Sequence, residues 1–341
     1  MTMSASDLPL IRSHERIDFK RCPQKWYWKW RKGLTPKDKV FGPLELGTWM
    51  HDALAGWYTS DRTIPLERYF DDVSNAGLVF VSENTPQHVL DAAQEIRMLG
   101  LAMAKAYDKR YGTDPDIHTI DAEIPLEFEI TDQGKLVALH KLKPDLVYTD
   151  PTGIYVWLME HKTAKQIRLE HLVIDDQARP YGAMAELALR KLGLIRRNQI
   201  FKGVMYNFLR KALPDEREYD AAGKALNKNG TVSKRQPTPS FIRHPVTLSR
   251  ASKLITLRRL RTEAYMITLM ASHLRDGTIA ADTIPYTPHN SCPKTCQFFS
   301  MCVAKEQGGD IREMQRTMYV RQNPYTYDEE TTDIPVSFEM G

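Results

Sequence analysis

Apolar and polar positions alternate with a period that changes along the chain. Residues 13 to 32 read as two short helices broken at Cys22-Pro23, where proline suits a first helical position. Gly47 to Tyr58 and about Thr85 to Tyr111 keep a helical period. In the second, Leu90, Ala93, Ile96, Arg97, Gly100 and Leu101 mark a shallow apolar side. After Asp116 the period shortens. His118 to Ile130 and Leu136 to Tyr148 read as strands joined at Asp132-Gln133-Gly134, and Asp150-Pro151-Thr152-Gly153 turns into a third strand, Ile154 to Lys162. That strand is apolar on both parities through Met159, as expected of a central strand covered on both faces. Ile174 to Leu192 reads as a helix, Gln199 to Leu209 as a fourth strand, and Leu248 to Leu274 as a long amphipathic helix. The order predicts an α/β fold, a mixed sheet flanked by helices.

Two segments depart from these rhythms. Residues 214 to 240 are polar and turn-rich, which predicts a mobile insertion, and the tail around Asp328-Glu329-Glu330 is expected to be loosely ordered. The chain divides into a helical region (1–112), a core (113–212), a polar insertion with a strand (213–247), a long helix with a cysteine triplet (248–305) and a tail (306–341). Hydrophobic residues at 42% and charged residues at 26% are ordinary globular proportions. No apolar run reaches the roughly 18 residues of a spanning helix. The first residues carry charge where a signal peptide needs an apolar stretch. A soluble, cytoplasmic protein without a membrane partner is therefore expected. The formal charge of +4 is compatible with a nucleic-acid partner without diagnosing one.

The candidate chemistry centres on Pro144-Asp145, followed after fourteen residues by Glu160-His161-Lys162. Glu160 and Lys162 leave the same face of a strand, and Asp145 is expected on the neighbouring antiparallel strand, close to the hairpin turn. Two carboxylates and an amine can then hold a hard divalent cation, Mg²⁺ or Mn²⁺, for phosphodiester hydrolysis. A solvated, ion-paired strand edge is the alternative. Charges ending a face lined by Ile154, Val156 and Leu158 need partners, however, and Pro144 demands a bulge or strand end beside Asp145. His161, between Glu160 and Lys162, points to the opposite face. His51 is a core histidine or a metal ligand. Gln177 and Tyr181 share a helix face, which on the residues alone reads as polar decoration.

Cys22, Cys292, Cys296 and Cys302 fit a zinc site, an iron–sulfur cluster or buried thiols. Basic and aromatic residues alternate from Lys20 to Lys32, a pattern that stacks single strands or packs a core. Lys224, Lys228, Lys234 and Arg235, with Arg258, Arg259 and Arg261, are the better phosphate candidates, or else a solvated charged face. No phosphate-cradling Gly-x-x-x-x-Gly-Lys loop occurs, so any strand unwinding falls to a partner.

Several of these pieces, in order, resemble the PD-(D/E)XK nucleases, and among them the RecB-like branch with an iron–sulfur cluster. They are Cys22-Pro23 before aromatics, Gly47-x-x-x-His51, Asp145 with Glu160-x-Lys162-Thr163, Gln177-x-x-x-Tyr181, and the triplet Cys292, Cys296, Cys302. The triplet spacing, Cys-x₃-Cys-x₅-Cys, departs from the commoner two-residue first gap. The resemblance implies a restriction-endonuclease-like core with added helices and a cysteine-cluster staple. It makes Asp145, Glu160 and Lys162 catalytic, flanked by Gln177 and Tyr181. His51 and the His161 carbonyl become further metal ligands, and the four cysteines hold a 4Fe–4S cluster, with zinc as the alternative. The implied activity is a metal-dependent DNA nuclease, a single-strand exonuclease in recombination, repair or processing, with a helicase or recombination partner. The rivals are a non-catalytic nucleic-acid-binding subunit and a structural zinc protein that keep the fold.

Overall fold

The computed structural model describes residues 10–37, 42–78, 85–325 and 336–338. From the amino terminus, β1 (Leu10–Arg12) runs into α1 (Ser13–Arg21) and α2 (Pro23–Trp26), which continues as a π-helical turn over Tyr27–Arg31. Then come β2 (Leu34–Pro36), α3 (Pro43–Thr59), α4 (Leu66–Leu78) and α5 (Gln87–Tyr111). The strands β3 (His118–Ala122), β4 (Leu126–Asp132), β5 (Lys135–Leu142), β6 (Leu146–Thr149) and β7 (Tyr155–Ala164) follow. A 3-10 turn leads to α6 (Ala178–Lys191), β8 (Ile200–Arg210) and β9 (Phe241–Val246). The chain closes with α7 (Arg250–Arg275), α8 (Cys292–Thr295), α9 (Phe299–Glu306), α10 (Ile311–Met318), β10 (Tyr319–Arg321) and β11 (Val336–Phe338).

The central sheet has the order β3-β6-β7-β8-β9, with β7 and β8 parallel across α6 and the other pairs antiparallel. A second sheet has the order β1-β5-β4-β11, and β2 pairs with β10. Covered on both faces, β7 needs apolar residues at both parities. Val156 and Leu158 join Tyr181, Met184, Ala185 and Leu189 of α6 in one core. Met159 joins Trp49, Met50, Trp57, Phe70 and Tyr107 of α3 to α5 in another. Mixed sheet and flanking helices are as the sequence predicts; Ile154, outside β7, is 44% exposed rather than buried.

The long hairpin differs from its prediction. Each expected strand is broken into two, at Glu123–Pro125 and at Lys143–Asp145, and the halves enter different sheets. Pro125 and Pro144 lack the N–H a ladder needs, and Glu123 takes a left-handed turn at φ 54°. The Glu123 N–H still donates to the Asp145 carbonyl at 3.2 Å, so both breaks align and the hairpin folds over one corner. The polar stretch 214–240 is folded on itself by bridges Tyr219–Ala225 and Leu226–Val232, around a buried Ala225. Asp328-Glu329-Glu330 lies outside the described residues. Among those described, no helix is long and apolar enough to cross a membrane.

Candidate active site

The corner of the hairpin is where the carboxylates meet. Leu146 pairs with Met159, so Asp145, one residue earlier, stands beside Glu160. It is therefore at the end of β6 away from the Asp150–Gly153 turn, a correction to the sequence expectation that follows from the strand break at Pro144. Alternation along β7 sends Glu160 and Lys162 toward α6, and His161 toward α3.

Glu160 is 2% exposed. Its Oε1 accepts from Lys162 Nζ and from Gln177 Nε2, both at 2.6 Å. Lys162 Nζ also donates to Gln177 Oε1 at 2.8 Å. Glu160 Oε2 is buried and has no hydrogen-bond partner among the described residues. Asp145, 9% exposed, accepts the His161 backbone N–H at Oδ2 (2.6 Å), and the same oxygen is 3.4 Å from His51 Nδ1. Gly47 lets α3 approach closely: a Cβ there would stand 3.1 Å from Thr163 Oγ1 at the end of β7.

These surroundings push the two carboxyls apart. Burial and the Asp145 charge raise Glu160 to about 7, against the pull of Lys162 and His51. Burial works against ionising Asp145 too, but His51, His161 and Lys162 hold it down to about 2. Burial opposes charge on His51, yet Asp145 raises its pKa. Lys162 is likewise raised, its burial outweighed by Glu160 and Asp145. Burial keeps the His161 ring neutral, with a pKa of about 3. One acid is firmly ionised and its neighbour poised near neutrality, an arrangement suited to metal and proton chemistry.

Tyr181 stands one turn after Gln177 and donates its hydroxyl to the Lys143 carbonyl at 3.0 Å, pinning the peptide before Pro144-Asp145. Sequence reasoning missed Asp175. Its Oδ1 accepts the backbone N–H groups of Gln177 (2.9 Å) and Ala178 (2.8 Å) and the Tyr206 hydroxyl, so it caps the helix end that presents Gln177. It also missed Asn207, whose Nδ2 lies 2.9 Å from His161 Nδ1. The available signal was one amide inside the apolar run Val204 to Leu209, since a polar side chain on a buried strand needs a reason.

Cys22, Cys292, Cys296 and Cys302 line a single cavity of about 690 Å³, with Trp28, Tyr286 and Phe298. Burial and the other three sulfurs push the Cys302 thiol up to about 11. Among the described residues, no three His, Cys, Asp or Glu side chains are arranged to hold one ion. The basic-aromatic segment is core, not a stacking platform. Trp26, Trp28 and Trp30 are buried, and their cationic neighbours pair inward: Lys25 and Lys29 with Asp18, Arg31 with Glu15. Lys224, Lys228, Lys234, Arg235, Arg258 and Arg259 are exposed, while Arg261 pairs with Asp132 at 3.1 Å.

Comparison with known proteins gives one family. A crystal structure of an Eubacterium rectale protein, provisionally called an exonuclease, aligns with 87% of this chain and 99% of its own, at 9% identity and a TM-score of 0.38. No curated protein matches the chain. The sequence profile of the PD-(D/E)XK nuclease superfamily matches residues 14–303, which span the hairpin corner, α3, α6 and the cysteine cavity. This chain belongs to the PD-(D/E)XK nuclease superfamily.

Proposed function

We propose that this nuclease is metal-dependent and cuts DNA, with Asp145 and Glu160 holding Mg²⁺ or Mn²⁺ and Lys162 acting on the substrate side. One observation carries the reading: a buried carboxylate oxygen, Glu160 Oε2, without a hydrogen-bond partner among the described residues, beside an ionised Asp145. A hard cation suits that donor set, because Mg²⁺ takes one or two carboxylates and fills its remaining positions with water and phosphate. When bound, the ion supplies Lewis acidity and an activated water. His51 and the His161 carbonyl are the candidate further ligands. Lys162, steadied by Gln177, orients the attacking water or neutralises the charge developing on the phosphate. Tyr181 keeps the Lys143–Asp145 corner in place.

The finer reading, a single-strand exonuclease of DNA recombination, repair or processing working with a helicase partner, is supported by the order of motifs shared with RecB-like nucleases. So is a 4Fe–4S cluster on Cys22, Cys292, Cys296 and Cys302, or zinc in its place. Its physical support is the gathering of four soft sulfur ligands on one cavity, where burial first and the neighbouring sulfurs second oppose ionisation of the Cys302 thiol.

Cleavage of linear and covalently closed single strands, with Mg²⁺, with Mn²⁺ and with chelator, tests the reading. Asp145→Ala and Glu160→Ala are expected to lose metal binding and cleavage. Lys162→Ala should keep the metal and slow chemistry by ~10²-fold or more. Closed circles should survive. Full activity of Asp145→Ala would overturn the site, and rapid nicking of circles the end-directed mode.

A further inference from the structure

The structure carries a polar network inside its apolar core that the proposed chemistry does not use. Tyr58 of α3 and Tyr107 of α5 share a 2.8 Å hydroxyl–hydroxyl hydrogen bond, and Tyr58 donates to Asp114 Oδ2 at 2.7 Å. Arg243 of β9 pairs with Asp114 and donates to the hydroxyls of Tyr107 (3.0 Å) and Tyr58 (3.2 Å). Asn207 of β8 donates to the Tyr107 hydroxyl at 3.0 Å and ends the network on the His161 ring. Asn207 and Tyr107 are 0% exposed. Apolar residues of similar volume would hold such a core at least as well, so the position where the network ends is informative.

It ends on a spacer. His51 and Tyr58 are seven apart on α3 and share one face, and both rest on the His161 ring. Tyr58 stacks on it at 5.7 Å and 11°, while His51 meets it edge-on at 5.9 Å and 87°. The ring therefore sets the distance between α3 and β7, and with it the 3.4 Å from His51 to Asp145. The His161 backbone N–H meanwhile holds the same Asp145 oxygen. A free imidazole could rotate about its side-chain bonds; its bond to Asn207 stops that rotation. Exchanging the oxygen and nitrogen of the Asn207 amide would let Oδ1 accept from Tyr107 and from a His161 Nδ1–H, and the same ring edge is held either way.

We infer that Asn207 is a positioning residue for the divalent-cation site: it locks the His161 ring, and the locked ring fixes His51 and the peptide that orients Asp145. The inference rests on the proposed metal site, so its test separates the two. Mn²⁺ affinity is measured by calorimetry without substrate, and kcat and KM on a single-stranded oligonucleotide. Asn207→Leu is expected to weaken Mn²⁺ binding ~10-fold or more, in the range of lost outer hydrogen bonds at metal sites. At saturating Mn²⁺, KM for DNA should stay within about twofold, because no substrate contact is removed. Asn207→Asp, isosteric and able to accept from both partners, should recover most of the affinity. Asn207→Ser, too short to reach either, repeats the test should the leucine variant not fold. Glu160→Ala runs in parallel: unchanged Mn²⁺ binding there overturns the site itself. Loss in Glu160→Ala with wild-type affinity in Asn207→Leu or Asn207→Ser, or no recovery in Asn207→Asp, overturns the role of Asn207 alone.

Discussion

At the residue scale, the consequence to test is competition between a proton and a cation at Glu160. Its carboxyl is raised to about 7 by burial and by Asp145, so below that pH a proton occupies the group a metal needs. Apparent Mn²⁺ affinity is expected to fall about tenfold per pH unit below neutrality and to level off above it. The sign for folding runs the other way. A carboxyl whose folded pKa exceeds its unfolded value stabilises the metal-free fold below the ordinary carboxylate range, and that contribution is lost as pH rises through about 7. Glu160→Gln should remove both dependences. Calorimetric titration at roughly pH 6, 7 and 8 checks the first; a flat affinity would sink it. None of this was legible in the residue pattern. Glu160-x-Lys162 announces two charges on one strand face, but not that one oxygen is left without a partner among the described residues, because that depends on Gln177 arriving from the start of α6.

At the element scale, helix contacts depend on small residues that periodicity records only as gaps. A Cβ on Gly100 of α5 would lie 1.9 Å from Phe70 Cζ of α4. Gly100→Ala is therefore expected to force the pair apart and cost ~1–3 kcal/mol, the usual range for overpacking, with Phe70→Leu restoring part of the loss. Urea denaturation of both single variants and the double variant checks this; additive effects would show that the two do not meet. The helices α1, α3, α5, α6 and α7 follow from the sequence within a few residues, the last four because their apolar stripes are long and α1 because Pro23 marks the break after it. The helix α4 was missed although Leu66, Tyr69, Phe70 and Val73 mark its stripe. The onset of α6 shifts from Ile174 to Ala178 because Asp175 caps it. The hairpin's two breaks were half legible. Pro144 signals a strand end, but that both breaks align at one corner is a matter of pairing between distant residues.

Across the whole molecule, early and late segments of the described chain pack together. Trp28 and Leu34 share a core with Phe298, Met301 and Tyr319, and beside it the four cysteines line one cavity. If they hold the proposed cluster, it closes a loop of 270 residues from Cys22 to Cys292. By analogy with a long disulfide this restricts the unfolded chain by roughly 4 to 5 kcal/mol. Serine at any one cysteine is then expected to lower Tm and bound iron first, and activity only as a consequence. Protein purified without oxygen should be brown, with iron and acid-labile sulfide. Stoichiometric zinc without sulfide would replace the cluster by a zinc staple, and a Cys22→Ser variant with unchanged metal and Tm would remove the staple altogether.

Read along the chain alone, the residues give the elements with a strong period, the double-sided burial of β7, and the chemical groups on offer: two carboxylates, an amine, a histidine and four thiols. These are local properties, carried by residues a few positions apart whose side-chain directions follow from backbone geometry. Tertiary structure alone decided the rest. It put Asp145 at a corner, turned the tryptophans of α2 and the π-helical turn inward, raised one carboxyl while lowering its neighbour, and ran a buried network from Arg243 to the His161 ring. Protonation and convergence depend on distances and dielectric set by residues a hundred positions apart, such as Tyr107 and Asn207, and no local pattern encodes those.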